Sequence, residues 1–317
     1  SRARRNLKLL TFTTTQHSAR RLGVHFEGKT IIDLARAYEV YCDARAPDWF
    51  DSVSNLLKGG DRAMALAQEI HDFASAKTIA DDSIFLDMDD IVFHPPAGDS
   101  AKILCVTMNY SSHAKASGTK QSTEPYFFIK MPTLMTPHQA PICHSKTSEK
   151  HDSEIELAVI IGKRGKYISR DDAFDYIAGY SVINDFSFRD RRSLPDDSNS
   201  ARLHWFTLKN LDNAAPIGPW LVTKDEIPDP YDLEITLTLD NEPELKQSGS
   251  TEGMMHRIED LVMHASNGLT LEPGDVIATG TPHDVAFGQQ RFLQDGDILR
   301  AEITKIGALV NPIRSEV

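Results

Sequence analysis

The chain has 317 residues, 40% of them apolar and 25% charged, with a formal net charge of −12, which reads as an ordinary globular protein of about two domains with a substantial core. That charge excludes nucleic acid as the expected partner, because phosphate binding needs a basic footprint, and with no run of eighteen apolar residues no membrane span or membrane partner is expected. The basic start Arg2, Arg4, Arg5, Lys8 leads into LLTFTTTQHS instead of an apolar signal core, and the three cysteines, Cys42, Cys105 and Cys143, lie far apart without CxxC spacing; a reducing cytoplasm is the simplest compartment, with neither a disulfide framework nor a zinc ligand set.

In chain order, KLLTFTTT and RRLGVHFEGKTIIDL predict strands, the second stretch a pair joined at Glu27-Gly28-Lys29, and helices follow near 34–42 and 61–76. The Pro- and Gly-rich HPPAGDS at 94–100 predicts a boundary near residue 95, between a small N-terminal α+β domain (1–95) and a second domain (96–317). Beyond it PYFFIK, EIELAVIIG, GYSVINDFSF, PWLVT, YDLEITLTLD, GDVIATG and GDILRAEI are short β-branched runs between turn residues. Helices are expected at about 170–178, with Ser169 as N-cap, and at about 255–267, with Ile258, Leu261, Val262 and Ala265 on one face. The fold class is therefore α+β, mostly β, an antiparallel or mixed roll instead of alternating βαβ units.

In DSEIELAVIIGK, alternation puts Glu154 and Glu156 on one strand face and Ile155, Leu157 and Val159 on the other. Two such carboxylates are roughly 6–7 Å apart and converge only if a cation or a proton relieves their repulsion. Asp185, in the equally apolar GYSVINDFSF, is a third. Three carboxylates without His or Cys make a hard oxygen site for Mg²⁺, Mn²⁺ or Ca²⁺. The spacing leaves a second reading open, in which both glutamates lie on the solvent face of an amphipathic strand.

Six stretches, MNYSSHAK (108–115), YFFIKMPT (126–133), SEIELAVIIGK (153–163), GYSVINDFSFRD (179–190), KNLDNAAPIGPW (209–220) and LTLEPGDVIATGTP (269–282), resemble the fumarylacetoacetate hydrolase family in its motif order. The resemblance implies a mixed β-sandwich roll as catalytic domain, usually dimeric, so a homodimer is expected. It implies Mg²⁺ or Mn²⁺ held by Glu154, Glu156 and Asp185, with Ca²⁺ admissible, and a small 2-oxo acid or acylpyruvate-type diketo acid as substrate. Such a substrate chelates the cation, whose Lewis acidity stabilises an enolate.

On this resemblance Lys209 neutralises developing oxyanion charge and His113 is the general base that activates water. Arg189 is a candidate anchor for a substrate carboxylate, the alternative being a salt bridge to Asp190. Tyr110 and Thr281 are placed at the substrate, with a turn-stabilising role the alternative for Thr281. The family often has a glutamate three residues after the histidine; here Ala116 stands there, and Arg192 replaces a glutamine two positions after Asp190. The expected reaction is metal-dependent hydrolysis of a C–C bond in an acylpyruvate. Decarboxylation or isomerisation of a 2-oxo (di)carboxylate at the same metal is the alternative, and a non-catalytic metal-binding protein the third reading.

Overall fold

A computed structural model describes residues 6–76, 81–110, 122–192, 204–282 and 291–316. The N-terminal part builds strands β1 (Lys8–Thr14), β2 (Arg21–Glu27) and β3 (Thr30–Asp33), then helices α1 (Leu34–Cys42), α2 (Val53–Lys58) and α3 (Gly60–Ser75), then β4 (Phe85–Asp87) and β5 (Ile91–His94). Asp33 and Ser52 cap α1 and α2 by accepting from Arg36 N and Asn55 N. The β2–β3 hairpin turns at Gly28, φ 56°, the left-handed conformation that favours glycine. The short α2 was not expected from the sequence.

The remainder contributes β6 (Ile103–Val106), β7 (Phe127–Lys130), β8 (Met135–Thr136), β9 (Ile142–His144), β10 (His151–Asp152), β11 (Ile155–Ile161), β12 (Ile177–Asn184) and β13 (Ser187–Phe188). After these come α4 (Trp205–Lys209), β14 (Ala215–Thr223), β15 (Glu234–Leu239), β16 (Glu242–Ser250), α5 (Ile258–Ala265), β17 (Val276–Ala278), β18 (Ile298–Ile303) and β19 (Gly307–Ser315). The helix expected at 170–178 is instead a 3-10 turn over Ala173–Tyr176. Ser169 and Asp172 hydrogen-bond each other, and from Ile177 onward the chain is claimed by pairing with β11.

Among the described residues the strands form a twelve-stranded sheet in the order β4-β3-β2-β1-β14-β12-β11-β17-β6-β7, with β5 added at β1 and β8 at β14. Most pairs are antiparallel, but β17 runs parallel to β6 and β8 to β14, so the sheet is mixed. A five-stranded sheet, β16-β15-β18-β19-β9, shares an apolar core with it that joins Leu157, Val159 and Val182 to Ile235, Ala301 and Leu309. A second core lies under the helices and joins Leu34, Leu56 and Ile70 to Ile160 and Leu221. Every residue of β11 is buried: Ile155, Leu157, Ala158, Val159 and Ile161 belong to the first core and Ile160 to the second. β1 pairs with β14 through Lys8↔Val222 and Leu9↔Leu221, so the large sheet runs through the expected boundary at residue 95. No helix among the described residues is long and apolar enough to cross a membrane.

One fold contact carries a pH prediction. His138 Nδ1 accepts from Val310 N at 3.1 Å and its ring meets Phe93 edge-on, 4.8 Å between centroids. Burial, and then the Arg300 charge, lower its pKa to about 4. The unfolded chain therefore binds more protons than the folded one between the two values, and stability falls as pH drops from about 7 toward about 4. His138→Asn keeps an acceptor without the titration. The variant is expected to lose about 2 kcal/mol less than the wild type between pH 7 and pH 5 in urea unfolding; an equal loss would refute the assignment.

Candidate metal centre

The register of β11 and β12, Ile155↔Asn184 and Glu156↔Ile183, continues one step further, where Asp185 N donates to Glu154 O at 2.8 Å. Glu154 and Asp185 thus face each other across the strand ends, with Glu156 two residues along the same face. Their exposures are 6%, 2% and 2% for Glu154, Glu156 and Asp185, which removes the solvent-face reading. One carboxylate oxygen from each lies within 4.8 Å of the others.

Basic side chains surround this cluster. Lys209, at the end of α4, donates from Nζ to Glu154 Oε2 at 2.8 Å and to Asp185 Oδ2 at 2.5 Å. Arg189 reaches Glu154 Oε1 through Nη2 and Asp152 Oδ2 through Nε at 2.7 Å. Lys130, on β7, is completely buried; its Nζ donates to the carbonyls of Phe186, Lys209 and Ala214 at 3.0, 2.6 and 2.7 Å. Three carbonyls take all three ammonium protons, so the 3.0 Å approach of Lys130 Nζ to Asp185 Oδ1 is a charge contact, and Oδ1 receives no hydrogen bond. Three basic groups thus serve four carboxylates among the described residues.

The remaining charge is borne by Glu156. Its Oε2 accepts from Gly280 N at 2.7 Å, yet burial, then Asp185, then Glu154 push its carboxyl well above the usual range. Burial opposes the charge of Lys209 and of Arg189, but Asp185 and Glu154 in the first case, and Glu154 and Asp152 in the second, outweigh it and raise both groups. Lys130 is pulled down by its burial.

The residues fit a hard divalent cation. Mg²⁺ binds oxygens at about 2.0–2.1 Å, hence roughly 3–4 Å from one another, and three oxygens within 4.8 Å reach that spacing by small rotamer adjustments. The all-carboxylate donor set, the Asp185 Oδ1 that receives no hydrogen bond and the Glu156 carboxyl pushed up by burial, Asp185 and Glu154 all agree.

Gly280 has φ 94°, and a Cβ there would stand 2.8 Å from Asn109 Cβ. Gly280→Ala should cost roughly 1–3 kcal/mol through strain and crowding, and should weaken metal binding by displacing the N–H that holds Glu156. Thermal melts and a Mn²⁺ titration check both; unchanged metal affinity would show that this N–H does not position the ligand.

The structure brings Tyr110 and Thr281 to the same region. Tyr110 is buried and bridges Met254; burial, and then Glu156, raise its hydroxyl. The adjacent Asn109 clamps the segment, donating to His256 O and Thr279 O at 3.0 and 2.8 Å. Thr281 is buried beside Gly280 and its Oγ1 accepts from Gln247 Nε2 at 2.7 Å. Arg189 does not pair with Asp190, which instead accepts from Ser148 Oγ and Glu149 N; its partners are the carboxylates of Asp152 and Glu154. Arg191 and Arg192 are exposed. His113 and Ala116 lie outside the described residues.

Four residues at the site were not foreseen. Lys130 had a readable signal: it shares the buried face of β7 with Phe128 while Ile129 faces out, 60% exposed, and a charge on an inward face demands a partner. Asp152, the Gly280 N–H and Gln247 are joined by tertiary contacts that no local spacing announces.

A family model, fumarylacetoacetate (FAA) hydrolase C-terminal, matches residues 102–314. The mitochondrial oxaloacetate tautomerase fahd2 of Xenopus laevis is 32% identical over 311 residues, 97% of this chain and 90% of its own length. The oxaloacetate tautomerase YisK of Bacillus subtilis is 33% identical over 298 residues, 92% of this chain and 95% of its own. Among solved structures, maleylpyruvate hydrolase from Sphingobium sp. SYK-6 in complex with manganese(II) ion and pyruvate superposes with a TM-score of 0.73 at 25% identity, covering 98% of this chain and 100% of that one. From its motif order, its mixed-sheet fold and these matches, the chain belongs to the fumarylacetoacetate hydrolase family.

Proposed function

We propose that the chain is a Mg²⁺- or Mn²⁺-dependent enzyme that interconverts the keto and enol forms of a 2-oxo dicarboxylate such as oxaloacetate. The observation that carries the reading is the buried Glu154–Glu156–Asp185 cluster with Lys209 seated on two of its members. Two relatives named oxaloacetate tautomerases, aligned over nine-tenths or more of both chains, support the substrate class. A divalent ion bound there would supply Lewis-acid stabilisation to the enolate of a chelated oxo acid.

The chain's own groups do the rest. Lys209 holds a fixed positive charge where negative charge grows on the 2-oxo oxygen. Arg189, spent on Asp152 and Glu154, orients a metal ligand and leaves substrate contact to other groups. Thr281 and Tyr110 border the substrate, and His113 carries the proton between C3 and solvent. Tautomerisation needs no activated water, which agrees with Ala116 standing where a base-orienting glutamate is often found. The test follows the ultraviolet absorbance of oxaloacetate enol with folded protein, with Mn²⁺ and with chelator. Metal-dependent acceleration without change of composition supports the reading; an uncatalysed rate with metal-loaded protein sinks it.

Hydrolysis of an acylpyruvate is the second reading, favoured by the likeness to a maleylpyruvate hydrolase that binds manganese and pyruvate. Incorporation of ¹⁸O from water into a product carboxylate would select it over tautomerisation.

A further inference from the structure

β16 lays Gln247, opposite Leu237 of β15, against the turn that follows β17. The fit is close: a Cβ on Gly249, two residues along the strand, would stand 2.5 Å from Pro282 Cβ. Gln247 is 2% exposed. Its Nε2 donates to Thr281 Oγ1 at 2.7 Å and to Pro282 O at 2.8 Å. A carbonyl oxygen only accepts, so the Pro282 contact fixes which end of the amide faces the turn. The other end, Oε1, is buried and accepts no hydrogen bond.

Both Nε2 protons are therefore spent, one of them on Thr281. The threonine hydroxyl is an acceptor toward Gln247, and its own proton must point elsewhere. Among the described residues no acceptor takes it. Thr281 directly follows Gly280, whose N–H holds Glu156 Oε2 at 2.7 Å, so this donor belongs to the residue next to the one that grips a carboxylate of the cluster.

We propose that Gln247 is a positioning residue: by occupying the acceptor side of Thr281 it fixes that hydroxyl as a donor to an anionic oxygen of the 2-oxo acid bound at the cluster. The ligand class rests on the function proposed above. Oriented in advance, the hydroxyl recognises a carboxylate or enolate oxygen without a reorientation cost at binding. Gln247→Leu frees the hydroxyl to rotate. Gln247→Glu reverses it, because a carboxylate only accepts and captures the threonine proton.

The test uses the full chain loaded with Mn²⁺ and oxalate as probe, with calorimetric affinity as the readout. Gln247→Leu is expected to raise the oxalate Kd about tenfold, and Gln247→Glu to raise it further. Mn²⁺ affinity without oxalate should stay at the wild-type value, and KM should rise more than kcat falls. Thr281→Val should match Gln247→Leu, and the two together should be no worse than either alone, as for groups acting through one hydrogen bond. Wild-type oxalate affinity in both Gln247 variants overturns the inference, as do additive losses or a loss of Mn²⁺ affinity. A wild type that binds oxalate in a Gln247-dependent manner yet leaves oxaloacetate untouched overturns only the proposed reaction. A wild type that does neither overturns both.

Discussion

Glu156→Gln should yield a protein that, stripped of divalent ions, melts above the wild type, yet gains nothing when Mg²⁺ or Mn²⁺ is returned. Glu156 is the carboxylate without a basic partner of its own in the described contacts; its hydrogen bond comes from a backbone N–H. Holding its charge there opposes burial and the charges of Asp185 and Glu154. Glutamine keeps the acceptor for Gly280 N and removes the repulsion. Without metal the folded state is relieved, so the melting temperature rises by about a few degrees. With metal the comparison inverts: a ligand present at one hundred times its Kd stabilises the wild type by about 2.7 kcal/mol, and the variant forgoes this. Turnover should fall by roughly a thousandfold or more, since the ion's Lewis acidity contributes several kcal/mol. Scanning calorimetry with and without Mn²⁺ measures both signs. A variant that keeps the full metal-induced shift would remove Glu156 from the ligand set.

Lys209→Met separates the cation from the metal. The ammonium joins Glu154 to Asp185, and removing one partner of a buried pair costs about 3–5 kcal/mol. The stripped variant should be markedly less stable than the wild type. Adding Mn²⁺ should restore much of that loss, because the ion then faces the same carboxylates with one competing positive charge fewer. Metal affinity is expected to be equal to or greater than the wild type's, while kcat on oxaloacetate falls at least about a hundredfold. Lys209→Arg, which keeps the charge but alters its geometry, should rescue stability more than turnover. Loss of metal affinity in Lys209→Met would mean that the lysine builds the site instead of acting on the substrate.

The carboxylates were legible in the sequence because acids at 154 and 156 interleave with Ile155 and Leu157 at the start of an apolar run, consistent with one strand and one face. Alternation did not say which face was wet. That depended on the layer of helices meeting Ile160 and Leu221, a tertiary fact. Strand positions were readable from β-branched runs, whereas α2 was missed because six residues between Ser52 and Gly59 are too few for a 3.6-residue period to declare itself. The helix expected at 170–178 failed for the complementary reason: a plausible cap at Ser169 was present, but strand pairing from Ile177 outcompeted continuation. Lys130 and Gln247 were hidden because their meaning lies in acceptors on distant segments. For Lys130 these are 56 to 84 residues away, and for Gln247 34 and 35 residues.

The division of β11 between two cores has a consequence for cooperativity. Ile160 is cemented among the N-terminal helices while Glu156, four residues earlier, binds at the acidic cluster. Heat should therefore melt the protein in a single calorimetric transition, with equal van't Hoff and calorimetric enthalpies. A cavity such as Ile70→Ala under α3, costing about 2–5 kcal/mol, should lower that one transition and release the metal at the same temperature. The helical layer thus acts as a thermal fuse for the centre further along the same strand face.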